Sequence, residues 1–323
     1  MIRRRAALGG LAAALLPSLA RAQADYPDRS IRMLVPFSAG GSPDLMGRLM
    51  GAQLGRQLGQ SIVIDNRLGA NGIIASEAVA KAAPDGYTLL LNTGSHVINQ
   101  SIYRKLPYEP SDFAPVALLT VAPALVLVVN TGSPLKTIKD FMAQARKPDG
   151  NVSYGSPGTG NTLHLAGELL NLLGGTKMLH VPYKGAAPAL QAVMAGDVTA
   201  CFLSTTAAVI AVKGGQVRPL AVTSGQRLGS FPDVPTLAES GAPGMDYNGG
   251  WMAVFAPAKT PRPILQKLNA EINKALQVPE VKQKMAEWDS PPQSLSTDEF
   301  GRFLAAETDK FARIVKQANV PMQ

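Results

Sequence analysis

The chain has 323 residues, 46% of them hydrophobic and 17% charged, which excludes disorder, collagen and coiled coil and leaves room for two domains. Lys+Arg of 31 against Asp+Glu of 23 gives +8, a balance that raises nucleic-acid or membrane-surface binding as a reading to be tested. The single cysteine, Cys201, rules out an intrachain disulfide framework and any cysteine-based metal site.

Met1–Arg5 reads M-I-R-R-R, and the apolar run 6–19 follows before Ala20, Arg21, Ala22 and Gln23. A basic start, a short apolar stretch and an A-x-A-like end form a secretory signal peptide, with cleavage expected between Ala22 and Gln23. The run is 14 residues and is broken by Pro17, short of the roughly 20 that a spanning helix needs. The arginines before Ala6 leave both the general and the twin-arginine export routes open. Residues 1–22 hold Arg3, Arg4, Arg5 and Arg21 and no acid, so +4 of the +8 remains beyond them. Much of that remainder alternates with acids, as in Lys267, Glu271, Lys274, Glu280, Lys282, Lys284 and Glu287. Such mixing marks a solvated helix face and argues against a nucleic-acid partner.

Beyond the leader, short β-rich runs alternate with helical patterns. Strands are expected at Ile31–Pro36, Ser61–Asp65 and Tyr87–Leu91, with helices opening at Ser42 and spanning Ile73–Ala82. Ser42, Pro43 and Asp44 suit a helix start as cap, first helical position and first-turn acid. Further strands are expected at Ala124–Val129, Val152–Tyr154, Met178–Val181, Thr199–Leu203 and Val217–Val222. Helical patterns lie between them at Ile138–Arg146, Thr162–Leu173, Pro188–Ala195 and Thr206–Val212. This alternation predicts an α/β fold with parallel sheets built from βαβ units.

The end of the chain reads as helix. Ile264, Leu265, Leu268, Ile272 and Leu276 share one face, and Ser296-Thr-Asp-Glu299 is a capping box. It opens a helix whose Phe300, Phe303, Leu304, Phe311, Ile314 and Val315 point to a core role. Ala124–Val129 and the strand-like Trp251–Phe255 bracket a middle block of domain size. Residues 23–123 plus 249–323 are therefore expected to form one discontinuous domain and 124–248 an inserted second one.

Two glycine-rich turns hold the most informative chemistry. Pro36-Phe-Ser-Ala-Gly-Gly-Ser-Pro-Asp44 carries a strand into a helix start, where exposed amides and the helix dipole favour an anion. Tyr154-Gly-Ser-Pro-Gly-Thr-Gly-Asn-Thr-Leu-His164 repeats that arrangement in the middle block. Neither turn fits the dinucleotide fingerprint or the P-loop, so a small anion in an interdomain cleft is favoured over a nucleotide. Catalytic signatures are scarce, with no G-x-S-x-G, H-E-x-x-H or C-x-x-C. His96, His164 and His180 lack metal-ligand spacing. His164, beside the second turn, either contacts an anion or caps local backbone. Cys201 reads as a buried thiol, and Asp44 as a helix-dipole partner more than a base.

The serial motifs resemble one family. They are Phe37–Asp44 with Arg48, Asn66-Arg-Leu-Gly-Ala-Asn-Gly72, Pro84-Asp-Gly-Tyr-Thr-Leu-Leu90, the second glycine turn, His180-Val-Pro-Tyr-Lys-Gly185, Ala195-Gly196 and Val234–Gly241. In order and spacing the chain is similar to the Bug receptors, extracytoplasmic solute-binding proteins of tripartite tricarboxylate transporters. The resemblance implies a type II periplasmic-binding-protein fold, in which two α/β domains joined by two crossing strands close on a ligand in the periplasm. It also implies a small carboxylate ligand, a membrane permease as partner, no cofactor, no metal and a monomer. Carried over residue by residue, the first turn would offer Phe37, Ser38, Ala39, Gly40, Gly41 and Asp44. The opposing domain would offer Ser156, Gly158, Thr159, Gly160, Thr162 and His164, with Ser95 and Ser204 as further contacts. Leu68, Gly47 and Pro157 depart from the family pattern, and Pro157 bears on pocket shape.

The leading expectation is a binding protein and not an enzyme. A secreted hydrolase or isomerase using His164 with a serine would need an oriented second base, which the sequence does not offer. The effector domain of a transcription regulator would need a helix-turn-helix where the leader stands.

Overall fold

A computed structural model describes residues 26–323; the leader and its expected cleavage point lie outside them. The chain begins with β1 (Ile31–Val35), α1 (Ser42–Leu58), β2 (Ile62–Asn66), α2 (Ile73–Ala80), β3 (Thr88–Thr93) and α3 (Ser95–Ile102). β4 (Phe113–Val121) passes almost directly into β5 (Leu125–Asn130). Then follow α4 (Ile138–Ala145), β6 (Ser153–Ser156), α5 (Thr162–Gly174), β7 (Leu179–Pro182), α6 (Ala186–Ala195), β8 (Ala200–Ser204), α7 (Thr205–Lys213) and β9 (Val217–Val222). β10 (Trp251–Pro257) precedes α8 (Arg262–Leu276), α9 (Pro279–Glu287) and α10 (Thr297–Gln317).

The strands form two five-stranded sheets, ordered β2-β1-β3-β10-β4 and β7-β6-β8-β5-β9. In the first, β1 runs parallel to β2 and β3, while β10 lies antiparallel between β3 and β4. In the second, β6 runs parallel to β7 and β8, while β5 lies antiparallel between β8 and β9. Each sheet is thus parallel-rich, as expected, with one strand, β10 or β5, running against the other four. The reason lies at the crossings: β5 and β10 enter their sheets from the other sheet, so no βαβ crossover dictates their direction.

Two elements have no counterpart in the sequence reading: β4 and α3. β4 contains Pro115, which reads as a strand breaker, yet β4 is an edge strand where a missing amide is tolerated. Its pairing with β10 shifts register beside Phe255, the partner of Pro115.

Packing follows the apolar periodicity. α1 buries Met46, Met50 and Leu54. A Cβ at Gly47 would stand 3.5 Å from both Val35 and Leu91, ordinary contact, so alanine would fit there as well. α8 buries Ile264, Leu268, Ile272 and Leu276 on the same side of that sheet. The capping box is formed: Ser296 Oγ accepts from the Glu299 amide and the Glu299 carboxylate accepts from the Ser296 amide. α10 buries Phe300, Phe311 and Val315, with Phe303, Leu304 and Ile314 packed against the same core. The last helices thus brace the first sheet, whose loops carry the first glycine turn.

Candidate functional site

The first turn links β1 to α1. Gly41 caps α1 without any side-chain hydrogen bond, so the first amides of the helix are left for another acceptor. Gly40 holds φ +77, the left-handed conformation in which a side chain would be strained. Asp44 braces the turn from behind: it accepts from the Gly40 amide at 2.9 Å, Arg48 Nε at 3.0 Å and Asn66 Nδ2 at 3.0 Å. Burial alone would raise its carboxyl, but the hydrogen bonds from Arg48, Gly40 and Asn66 outweigh that and hold it below the usual range. Asn66 also donates to the Phe37 carbonyl at 3.1 Å, tying the turn to β2.

The second turn links β6 to α5, with Gly158 at φ +143 and Gly160 at φ +80. Asn161 caps α5, its Oδ1 accepting from the Leu163 amide at 3.0 Å. Behind the turn lies a buried aromatic and imidazole cluster. His164 Nδ1 accepts from the Gly160 amide at 3.1 Å, and the His164 and His180 rings lie with centroids 4.0 Å apart and planes tilted by 32°. His180 Nε2 lies 2.6 Å from Ser156 Oγ, and Tyr154 donates to Glu168 at 2.5 Å. Burial, with His180 as neighbour, lowers His164 to about 3, and burial lowers His180 to about 4. Both rings are neutral at ordinary pH, which suits Nδ1 of His164 as an acceptor. A serine–histidine pair thus exists at Ser156, but Ser156 is fully buried. A nucleophile needs access to its substrate, so this pair supports the turn and not a hydrolase.

Between the sheets lies a cavity of about 70 Å³, lined from both sides. At 10–15 Å³ for each water centre this is room for about five waters, or one small organic ion. First-turn residues of four helices reach it: Ser42 and Pro43 of α1, Thr162 and Leu163 of α5, Ala186 of α6, and Thr206 and Ala207 of α7. Each helix start carries about half a positive charge, and the lining contains no Asp, Glu, Lys, Arg or His. Within the lining itself, only backbone dipoles can supply positive potential.

Most polar side chains of the wall are engaged with the protein. Ser42 Oγ and Ser204 Oγ meet at 2.5 Å across the cavity. Asn161 Nδ2 donates to Ser95 Oγ at 3.2 Å, a second bond between the two sides. Thr120 donates to the Pro291 carbonyl, Thr206 to the Trp288 carbonyl and Thr93 to Ser95. Trp251 Nε1 donates to Glu307 at 3.0 Å, away from the cavity. Ser38 Oγ is an exception, being buried with no partner among the described residues. Gly185 faces it so closely that a Cβ there would stand 2.8 Å from the Ser38 oxygen.

A family model described as "Tripartite tricarboxylate transporter family receptor" matches residues 46–320. The chain belongs to this family. Protein BugT of Bordetella pertussis is 36% identical over 301 residues, spanning 92% of this chain and 92% of that protein. Among solved structures, "R. palustris Rpa4515 with adipate" has a TM-score of 0.88 at 34% identity, covering 92% of this chain and all (100%) of that one. "MatC (Rpa3494) from Rhodopseudomonas palustris with bound malate" has a TM-score of 0.83 at 33% identity, covering 90% and 100%. The family is one of receptors rather than enzymes, and the Bug resemblance and two-domain α/β fold read from the motifs hold.

In this receptor, five of the residues expected at the site line the cavity: Phe37, Ser38, Gly41, Thr162 and Ser204. Asp44, Ser95, Ser156 and His164 lie behind the lining and act through their hydrogen bonds to the turns and caps. Ala39, Gly40, Gly158, Thr159 and Gly160 shape the two turns without lining the cavity. The sequence reading missed Asn161 and gave Ser42 and Pro43 only a part in starting the helix, although a position at a ligand-facing helix start is itself the signal. It also missed Thr93, Thr120, Leu203, Thr206, Trp251 and Met252, whose approach to one point depends on the order of the sheets.

Proposed function

We propose that this receptor captures a small organic acid in the cleft between its two domains and delivers it to the membrane permease of a tripartite transporter. The observation that carries this reading is the convergence of four helix starts on a wall without charged side chains. Adipate and malate in the related structures fit the same chemistry. In this reading residues 23–123 plus 249–323 move against 124–248, the two turns approaching from opposite sides. A carboxylate on the Ser38 turn gains contacts from α5 to α7 only when the domains close. That differential contact is what shifts an open–closed equilibrium. The chain acts outside the cytoplasm after removal of residues 1–22, as a monomer and without a cofactor.

Thermal unfolding against a broad set of organic acids tests the reading. A ligand at 100 times its Kd adds about 2.7 kcal/mol, so at least one carboxylate is expected to raise Tm by several degrees. If no carboxylate shifts Tm while neutral sugars or cations do, the reading is wrong.

A further inference from the structure

On that carboxylate reading, we infer that the acid taken by this receptor has an unsubstituted hydrocarbon body, in contrast to hydroxy or amino acids. The inference comes from what the wall can still offer once a carboxylate is in place. Of the polar lining side chains, Ser38 and Thr162, one on each glycine turn, have hydroxyls with no hydrogen-bond partner among the described residues, that of Ser38 being buried. Both belong beside a carboxylate, at the start of α1 and of α5.

The proton of a ligand hydroxyl would then have to find its acceptor among groups already engaged. The carbonyls of Ser38, Ala122, Thr162 and Gly250 accept from the Gly41 amide, the Gly249 amide, Tyr247 Oη and the Ala122 amide. An ammonium would be worse placed, because the wall holds no carboxylate to pair with it. The rest of the wall is apolar, with Phe37, Leu163, Leu203 and Met252 facing the space where the body of the acid must lie. Methylenes or an aromatic ring gain from that surface, whereas a buried hydroxyl left unpaired loses about tenfold to a hundredfold in affinity.

Isothermal titration of the full chain with matched pairs decides the point. The pairs are succinate and malate, glutarate and glutamate, adipate and 2-aminoadipate, and benzoate and 4-hydroxybenzoate. In every pair that binds, the unsubstituted acid is expected to be at least tenfold tighter. Equal or tighter binding of malate, glutamate, 2-aminoadipate or 4-hydroxybenzoate overturns the inference while leaving the carboxylate reading intact. If no member of any pair binds, the carboxylate reading itself fails and the inference falls with it.

Discussion

Replacing Ser38 by alanine separates binding from folding at this site. Ser38 Oγ is buried at the cavity wall and has no hydrogen-bond partner among the described residues, so truncation removes nothing that holds the fold together. Its φ is not in the left-handed region, and alanine accepts the same backbone. Without ligand the variant is therefore expected to melt within about 2 °C of the parent. In the complex the same oxygen would donate to a carboxylate, a charge-assisted hydrogen bond with a net contribution of about 1.5–3 kcal/mol. At about 1.4 kcal/mol for each tenfold, Kd rises by about tenfold to 150-fold. Calorimetric titration with the tightest acid from the thermal screen reads this directly. An unchanged Kd, with or without a fall in Tm, would show that Ser38 does not hold the ligand.

Three other outcomes follow from the same geometry. Gly185→Ala places a methyl 2.8 Å from Ser38 Oγ at a residue with φ +136, so the domains close less fully. Small-angle scattering should lose its ligand-dependent compaction and Kd should rise at least about tenfold, and full compaction in the variant refutes the approach. Asp44→Ala strips an acceptor from Gly40, Arg48 and Asn66 and should cost about 2–3 kcal/mol in urea unfolding; a loss below about 0.5 kcal/mol would mean the brace is dispensable. Burial lowers His96 and His180 to about 4, and burial with His180 lowers His164 to about 3, all from 6.5. Unfolding lets these rings take up protons, so stability present at neutral pH is lost as pH falls from about 6.5 towards 4. Three protons set an upper slope of about 4 kcal/mol per pH unit near pH 5, and a flat urea midpoint between pH 7 and 5 contradicts it.

How much of this was legible in the sequence depended on whether the signal was local. The helix start at Ser42–Pro43, the capping box at Ser296–Glu299 and the glycine turns are written within a few residues and stand where they were expected, except that Gly41 and not Ser42 is the cap of α1. β4 was hidden because Pro115 carries an honest breaker signal whose exemption comes from an edge position in the sheet. His164 shows the limit at the site itself. Its spacing from the turn was right, yet residues at a helix start direct their side chains back along the helix. The ring therefore lies under Gly160 and holds its amide, when spacing alone allowed it to face the anion. Leu203, Trp251 and Met252 are ordinary core residues by pattern, and only sheet order brings them to one wall.

The neutrality of that wall bears on how the receptor can both hold and release its ligand. A lysine or arginine in the cleft would be hydrated in the open form and stripped of water on closing, a penalty of several kcal/mol that only a charged ligand could offset. Helix starts ask for no such exchange, since their amides are fixed in direction by the helices behind them. On the proposed closure, the open and closed forms would then differ little in energy until a ligand touches both sides. A balance of that kind is what a modest differential affinity can tip, and what a permease can tip back. The +4 left on the chain beyond residue 22 sits outside the cavity wall, so it helps to draw an acid in without choosing among acids.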